Sequence, residues 1–333
     1  MSAGTHELLL DSDVAVDQIA LVPGEIAARS PRQLFWRRFR ADRVAVVSAI
    51  FLIVLIIVAV AAPLVIKLIG VPGPNVQNPN ALDAFGSPTG PSAAHPFGVD
   101  QIGRDVLSRV IYGARVSLLV GISGTAIASV IGTIIGLIAG FYGRWVDTAL
   151  MRLVDVFLAF PVIVLGLGIG DACGVRGCLH AFGTELIQPG LATVIFIIAL
   201  SSFTYIARIV RGQVLSLREK EFVEAARSLG ASNRRILYKE ILPNLLAPLI
   251  VYSSLLIPQN ILLEAALSFL GVGVRPPTAS WGQMISDAGN DILGAQPAWW
   301  YMVFPGVALL LTVLAFNLLG DGLLDALNPR SNR

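Results

Sequence analysis

The chain is predicted to be an all-α membrane protein with six transmembrane helices and both termini cytoplasmic. Three observations carry this. Of its 333 residues, 55% are apolar and 14% charged, with a mean hydropathy of +0.74; a soluble domain carries about a quarter charged residues. Apolar runs of about 20 residues recur along the chain, each long enough to cross a hydrocarbon core about 30 Å thick as a helix. With both ends inside, 18 of the 24 Lys and Arg fall in inner segments and 6 in outer ones, the bias that cytoplasmic loops show.

The elements follow in order. Residues 1–29 read as a flexible cytoplasmic tail, acidic through Glu7, Asp11, Asp13, Asp17 and Glu25. They lack the basic start and apolar core of a cleavable signal. Residues 30–43 alternate Leu34, Phe35, Trp36 and Phe39 with Arg32, Arg37, Arg38, Arg40 and Arg43, a basic amphipathic helix suited to the inner leaflet. The first transmembrane helix spans 44–66. An outer loop, 67–113, is rich in Pro, Gly, Asn and Ser and ends in an amphipathic stretch from Asp105 to Ile111, expected to lie against the outer face. The remaining five spans occupy 114–330.

The second span, about 116–141, carries a G-x-x-x-G face at Gly132 and Gly136, which suits close helix packing in lipid. A short inner loop, 142–152, precedes a third span at about 153–170 that bends at Pro161. Asp155 near its inner end is expected to pair with Arg152, one turn away. The outer loop 171–189 holds the only cysteines, Cys173 and Cys178. Their C-x4-C spacing fits neither a zinc ribbon nor a thioredoxin motif. A disulfide is expected in that oxidising position, with two free thiols as the alternative and metal binding behind both. His180 reads as an exposed loop residue.

The fourth span, about 191–210, leads into the most patterned polar stretch, 208–243, with eight Lys or Arg and four Glu. Glu221–Leu229 predicts a helix with Phe222, Ala225, Ala226 and Leu229 on one face at helical spacing. Gly230 suits the left-handed residue that closes a helix. Ser232 suits the cap of a second short helix, stopped by Leu242-Pro243. The fifth span contains Pro248 and Pro258, followed by Gln259, Asn260 and Glu264. Proline frees backbone groups that need neighbours or a wet cavity, so these three polar residues are candidates for a translocation pathway; a kinked helix end is the plainer reading. Aromatic residues Trp281, Trp299, Trp300 and Tyr301 border the last outer loop, and the sixth span covers about 303–319.

Glu224-Ala225-Ala226, Gly230 and Leu242-Pro243, in register between two apolar spans, resemble the EAA loop of permease subunits of bacterial ABC importers. Three further stretches agree: His95-Pro96-Phe97-Gly98 with Asp100, Gly103-Arg104-Asp105 and Ser108-Arg109; Tyr205 to Gln213; and Phe316 to Arg330. Together they resemble the C-type permease of the dipeptide and oligopeptide family. Glu240 stands where that family often has His, and Leu324 and Asn328 where it often has Arg and Asp. The cysteine-bearing loop is not part of the resemblance.

The resemblance implies a type I ABC importer permease in the bacterial cytoplasmic (inner) membrane, carrying di- or oligopeptides. Its implied ATPase-coupling residues are Glu224, Ala225, Ala226, Gly230, Arg234, Leu242 and Pro243. It implies a homologous second permease subunit, two ATP-binding subunits and an extracytoplasmic substrate-binding protein, with membrane lipid around the spans. The alternatives are the same architecture importing nickel or another small solute, and a stand-alone secondary transporter. No G-x-x-x-x-G-K-[ST] occurs, so the chain has no phosphate cradle of its own; ATP and Mg belong to partner subunits. It is not expected to be an enzyme, to bind a cofactor or metal, or to bind nucleic acid, because its basic residues track topology rather than a groove-shaped patch.

Overall fold

Apolar runs broken by proline and glycine fold here into a bundle of helices. The computed structural model describes residues 31–174, 178–181, 184–187, 190–291 and 298–327. The acidic stretch 1–29, the side chains of Cys178 and His180, and the tail from Asn328 lie outside the described residues.

Helix α1 (Pro31–Ala41) leads into α2 (Arg43–Val60), which Asp42 caps by accepting from the amides of Val44 and Ala45 at 2.9 and 3.1 Å. After a break at Ala61, α3 (Ala62–Ile69) completes the first crossing, with proline in its first turn, where the missing N–H costs nothing. Helix α4 (Val106–Tyr142) is 37 residues long. The expected surface stretch Asp105–Ile111 is therefore the start of the second span and not a separate interfacial helix. The cause is Asp105, whose carboxylate accepts from the Ser108 amide at 2.7 Å and so begins the helix there. Ser108 and Arg109 are buried.

The outer loop before α4 folds onto this start. His95 Nδ1 lies 2.9 Å from the Asp105 carboxylate. Asp100 accepts from the amides of Ile102 and Arg104 and from Arg104 Nε at 2.6 Å. Phe97 stacks on Phe304 with ring centroids 3.8 Å apart, and Trp300 Nε1 donates to the Val99 carbonyl at 3.0 Å. The His95 to Arg109 motif is thus a clasp joining the loop to the last helix.

The bend expected at Pro161 is a full break between two helices. Helices α5 (Arg144–Ala159) and α6 (Val162–Gly174) meet at 84°. Phe160, preceding Pro161, is extended, as the proline ring demands of the residue before it. The expected inner loop 142–152 is mostly the first part of α5. A small antiparallel hairpin of β1 (Cys178–Ala181) and β2 (Thr184–Ile187) follows within the outer loop. Cys173 is buried and disulfide-bonded.

Helix α7 (Leu191–Leu217) runs past the expected end of the fourth span, so Arg208 and Arg211 are helical. Arg208 pairs with Asp155 at 2.6 Å, in place of the expected Arg152–Asp155 pair, and Arg211 grips both oxygens of Asp147. Two parallel N–H···O bonds make such a pair directional. Both ties join α7 to α5.

Helices α8 (Glu221–Ser228) and α9 (Asn233–Arg235) follow. A π-helical segment, Ile236–Ile241, then runs directly into α10 (Leu242–Phe269). Leu242-Pro243 therefore does not stop the helix. The π segment supplies the wider register: the Leu242 amide bonds Leu237, five residues back. Pro243 then sits in the first turn of α10 without clashing. Helix α11 (Trp281–Asp291) lies at the far end of the bundle, where Trp281 Nε1 donates to the Val110 carbonyl at 3.0 Å. Helix α12 (Trp299–Leu327) closes the chain. Among the described residues, five helices are long and apolar enough to cross a membrane, or six crossings if α5 with α6 forms one.

The bundle is organised by α4 against α7. A side-chain carbon at Gly132 would come within 2.6 Å of the Phe203 carbonyl, and one at Gly136 within 2.6 Å of the Ala207 carbonyl. The G-x-x-x-G face therefore packs on α7, backbone to backbone.

Candidate functional site

Two places concentrate the residues singled out in the sequence. The first is the hairpin of α8 and α9 at one end of the bundle. Its base is buried: Val223, Ile236, Leu237 and Ile241 pack with Leu137 of α4 and with Val210 and Val214 of α7. Ala226 and Leu242 are half-buried against the same cluster. Arg218 donates to the Gly140 carbonyl at 2.9 Å, fastening the end of α7 to α4.

The closing turn is as expected. Gly230 has φ +78°, its amide bonds Arg227 and the Ala231 amide bonds Ala226, both at 3.0 Å. A left-handed residue of this kind favours glycine, because a side-chain carbon crowds the following carbonyl. Ser232 accepts from the Arg235 amide at 3.4 Å.

Helix α8 divides into an outward and an inward side. Phe222 is 38% exposed and Leu229 88% exposed, and Ala225 is exposed too. Phe222, Ala225 and Leu229 project away from the bundle, and Val223 with Ala226 faces it, so the four residues grouped on one face in the sequence do not stay together. Both sets are spaced as one helix face, so periodicity alone does not choose between them. Glu224, Arg234 and Pro243 are also exposed. The result is a rigid knob with an apolar and charged outer surface.

The second place is a cavity of about 400 Å³ between α5, α6, α7 and α10. Its wall includes the Phe160-Pro161 break, with Phe157, Ser201, Ser202, Tyr205, Gln259 and Asn260 around it. It is lined by hydroxyl, amide and apolar groups and no charged side chain. Gln259 is exposed and Asn260 buried. Asn260 accepts from Ser202 at 2.7 Å and donates to Thr125 at 2.8 Å, so it ties α10 to α7 and α4 at the cavity wall.

Glu264 is not in that wall. It is fully buried and accepts from Ser117 of α4 and Ser268 of its own helix, each at 2.8 Å. Of the three polar residues grouped in the sequence, two meet the cavity and the third is a helix tie. One α-helical turn separates Asn260 from Glu264, enough to place them at different depths of the bundle. Ser201 and Ser202 were missed in the sequence because nothing in the fourth span marks them apart from ordinary small residues, and Tyr205 stood out there only as part of the family resemblance.

Residues 132–333 match the family described as binding-protein-dependent transport system inner membrane component, and residues 30–84 match the N-terminal TM domain of oligopeptide transport permease C. This chain belongs to that permease family. The permease is 40% identical over 306 residues to the dipeptide transport system permease protein DppC of Alkalihalophilus pseudofirmus, covering 92% of each chain. It is 38% identical over 304 residues to the glutathione transport system permease protein GsiD of Pectobacterium atrosepticum, covering 91% of this chain and 93% of that one. With the GsiD of Escherichia coli O157:H7 the identity is 41% over 302 residues, covering 91% of each.

The fold agrees with solved importers. An inward facing conformation of the MetNI methionine ABC transporter matches with a TM-score of 0.52 at 20% identity, covering 66% of the permease and 96% of that chain. A second crystal form gives 0.51 at 21%. Identity this low speaks for the fold alone. The permease is thus a multi-pass inner-membrane component of the peptide-type ABC importers.

Proposed function

We propose that this permease forms part of the translocation pathway for di- or oligopeptides and receives its motion from partner ATPases through α8. The observation that carries this is the orientation of α8. It buries Val223 and Ala226 in the bundle and turns Phe222, Ala225 and Leu229 outward beside Glu224 and Arg234. Exposed apolar groups rimmed by charge mark a protein contact. The buried base makes that contact stiff, so displacement at α8 reaches α4, α7 and α10 together.

In this reading the α8 end is cytoplasmic, as the inward bias of Lys and Arg requires. Two ATP-binding subunits supply ATP and Mg, and a homologous second permease completes the pathway. An extracytoplasmic substrate-binding protein delivers the peptide to the opposite end. The cavity beside Gln259 and Asn260 is the part of the path this chain contributes. Its hydroxyl and amide lining suits the neutral backbone of a peptide. A bare divalent cation such as nickel would need carboxylate or imidazole ligands.

The test is uptake and subunit copurification in cells carrying the whole importer with Leu229→Asp and Phe222→Asp. Both side chains are exposed, so the permease is expected to reach the membrane. The ATPase subunits should be lost from the purified complex and uptake should stop. Undiminished uptake without bound ATPase would make α8 a mere connector and favour a stand-alone transporter.

A further inference from the structure

We propose that α1 carries a binding site for the headgroup of an anionic phospholipid, formed around Arg37 and Arg40. A groove of about 800 Å³ is lined there by Gln33, Trp36, Arg37, Arg40 and Ala41. Arg37 and Arg40 are three residues apart on one helix face. Both are exposed, and among the described residues neither pairs with a carboxylate. Asp42, just past the end of α1, is committed to the amides that begin α2.

The position is that of a headgroup. The apolar helix α2 begins at Arg43, so α1 lies where the hydrocarbon ends. Phe35, Trp36 and Phe39 form a cluster with ring centroids 5.8 to 6.0 Å apart, an aromatic wedge suited to the interface. The Arg40 guanidinium sits 5.7 Å from the centre of the Trp36 ring, which holds it over the groove. Guanidinium groups bind phosphate oxygens in pairs. Unpaired arginines at an interface favour a lipid of net negative charge over a zwitterionic one. α1 also packs on α12, so an occupied site would steady the end of the last helix. The inference does not rest on the ATPase contact at α8.

The experiment uses the intact importer in nanodiscs of phosphatidylcholine containing stepped fractions of phosphatidylglycerol. Lipid retained after extraction is counted by native mass spectrometry. The wild type should retain phosphatidylglycerol in excess of its bulk fraction, on the order of tenfold for two arginines. Arg37→Gln with Arg40→Gln should remove the excess. Lys67→Gln, an exposed cation at the opposite end of α2 and α3, should keep it. Arg37→Lys with Arg40→Lys should keep part of it, since charge persists without the paired donors. The proposal is overturned if the wild type retains the two lipids in proportion to their bulk fractions, a result needing no variant. It is also overturned if the glutamine variant keeps the full excess, or if Lys67→Gln loses as much.

Discussion

Ser117 on α4 donates a 2.8 Å hydrogen bond to Glu264 on α10, and Ser268 donates to the other carboxylate oxygen at the same distance. An intramembrane acid ordinarily suggests a transport role. Here both oxygens are engaged, one across to α4 and one within α10, away from the cavity. Glu264→Ala should destabilise the purified permease by about 2–4 kcal/mol, through a cavity and two stranded hydroxyls. Ser117→Ala should cost about 0.6 kcal/mol, the usual scale of one such bond in lipid. Glu264→Gln should keep uptake near wild type. Loss of uptake by Glu264→Gln with thermal stability intact would instead place Glu264 in the pathway.

Gly136 meets the Ala207 carbonyl so closely that a side-chain carbon would stand 2.6 Å from it. The obstacle is backbone, which cannot swing aside. Gly136→Val should therefore separate α4 from α7 and cost about 3 kcal/mol. The readout is the folded fraction in detergent by size-exclusion fluorescence, with Gly212→Val as the control, because Gly212 has open space around it. Equal behaviour of the two variants would mean that the α4–α7 contact is not close.

Arg211 and Asp147 join α7 to α5 through two bonds, with side chains 35% and 17% exposed. Partial exposure lets solvent screen the pair. A double-mutant cycle with Arg211→Gln and Asp147→Asn should give a coupling of about 1 kcal/mol in thermal unfolding. A coupling indistinguishable from zero would show the pair to be incidental.

Gly230 holds φ +78° at the end of α8. Gly230→Ala should cost about 1–2 kcal/mol at that turn, while Gly230→Pro also removes the amide that bonds Arg227. Peptide uptake should fall modestly with alanine and be lost with proline, with the permease still present in membranes. Equal uptake for both variants would separate this turn from energy coupling.

Much of this architecture was legible along the chain. Composition and apolar runs determine a bundle of membrane helices, because backbone in lipid must pair within a helix or a closed barrel and continuous runs of about 20 apolar residues suit only the helix. The Gly230 turn and the Ser232 cap were legible because they rest on bonds between near neighbours. The spacing of Glu224, Ala225 and Ala226 with Gly230 and Leu242-Pro243 likewise marked the family before any contact was known.

Tertiary structure decided what depends on partners distant in sequence. Which face of α8 packs follows from where Leu137, Val210 and Val214 stand, and no local pattern contains them. Asp155 finds Arg208 on another helix in preference to Arg152 on its own. Asn260 and Glu264, one turn apart, meet different neighbours and so take different roles. Local chemistry sets where helices begin and end; packing sets which side of each is seen.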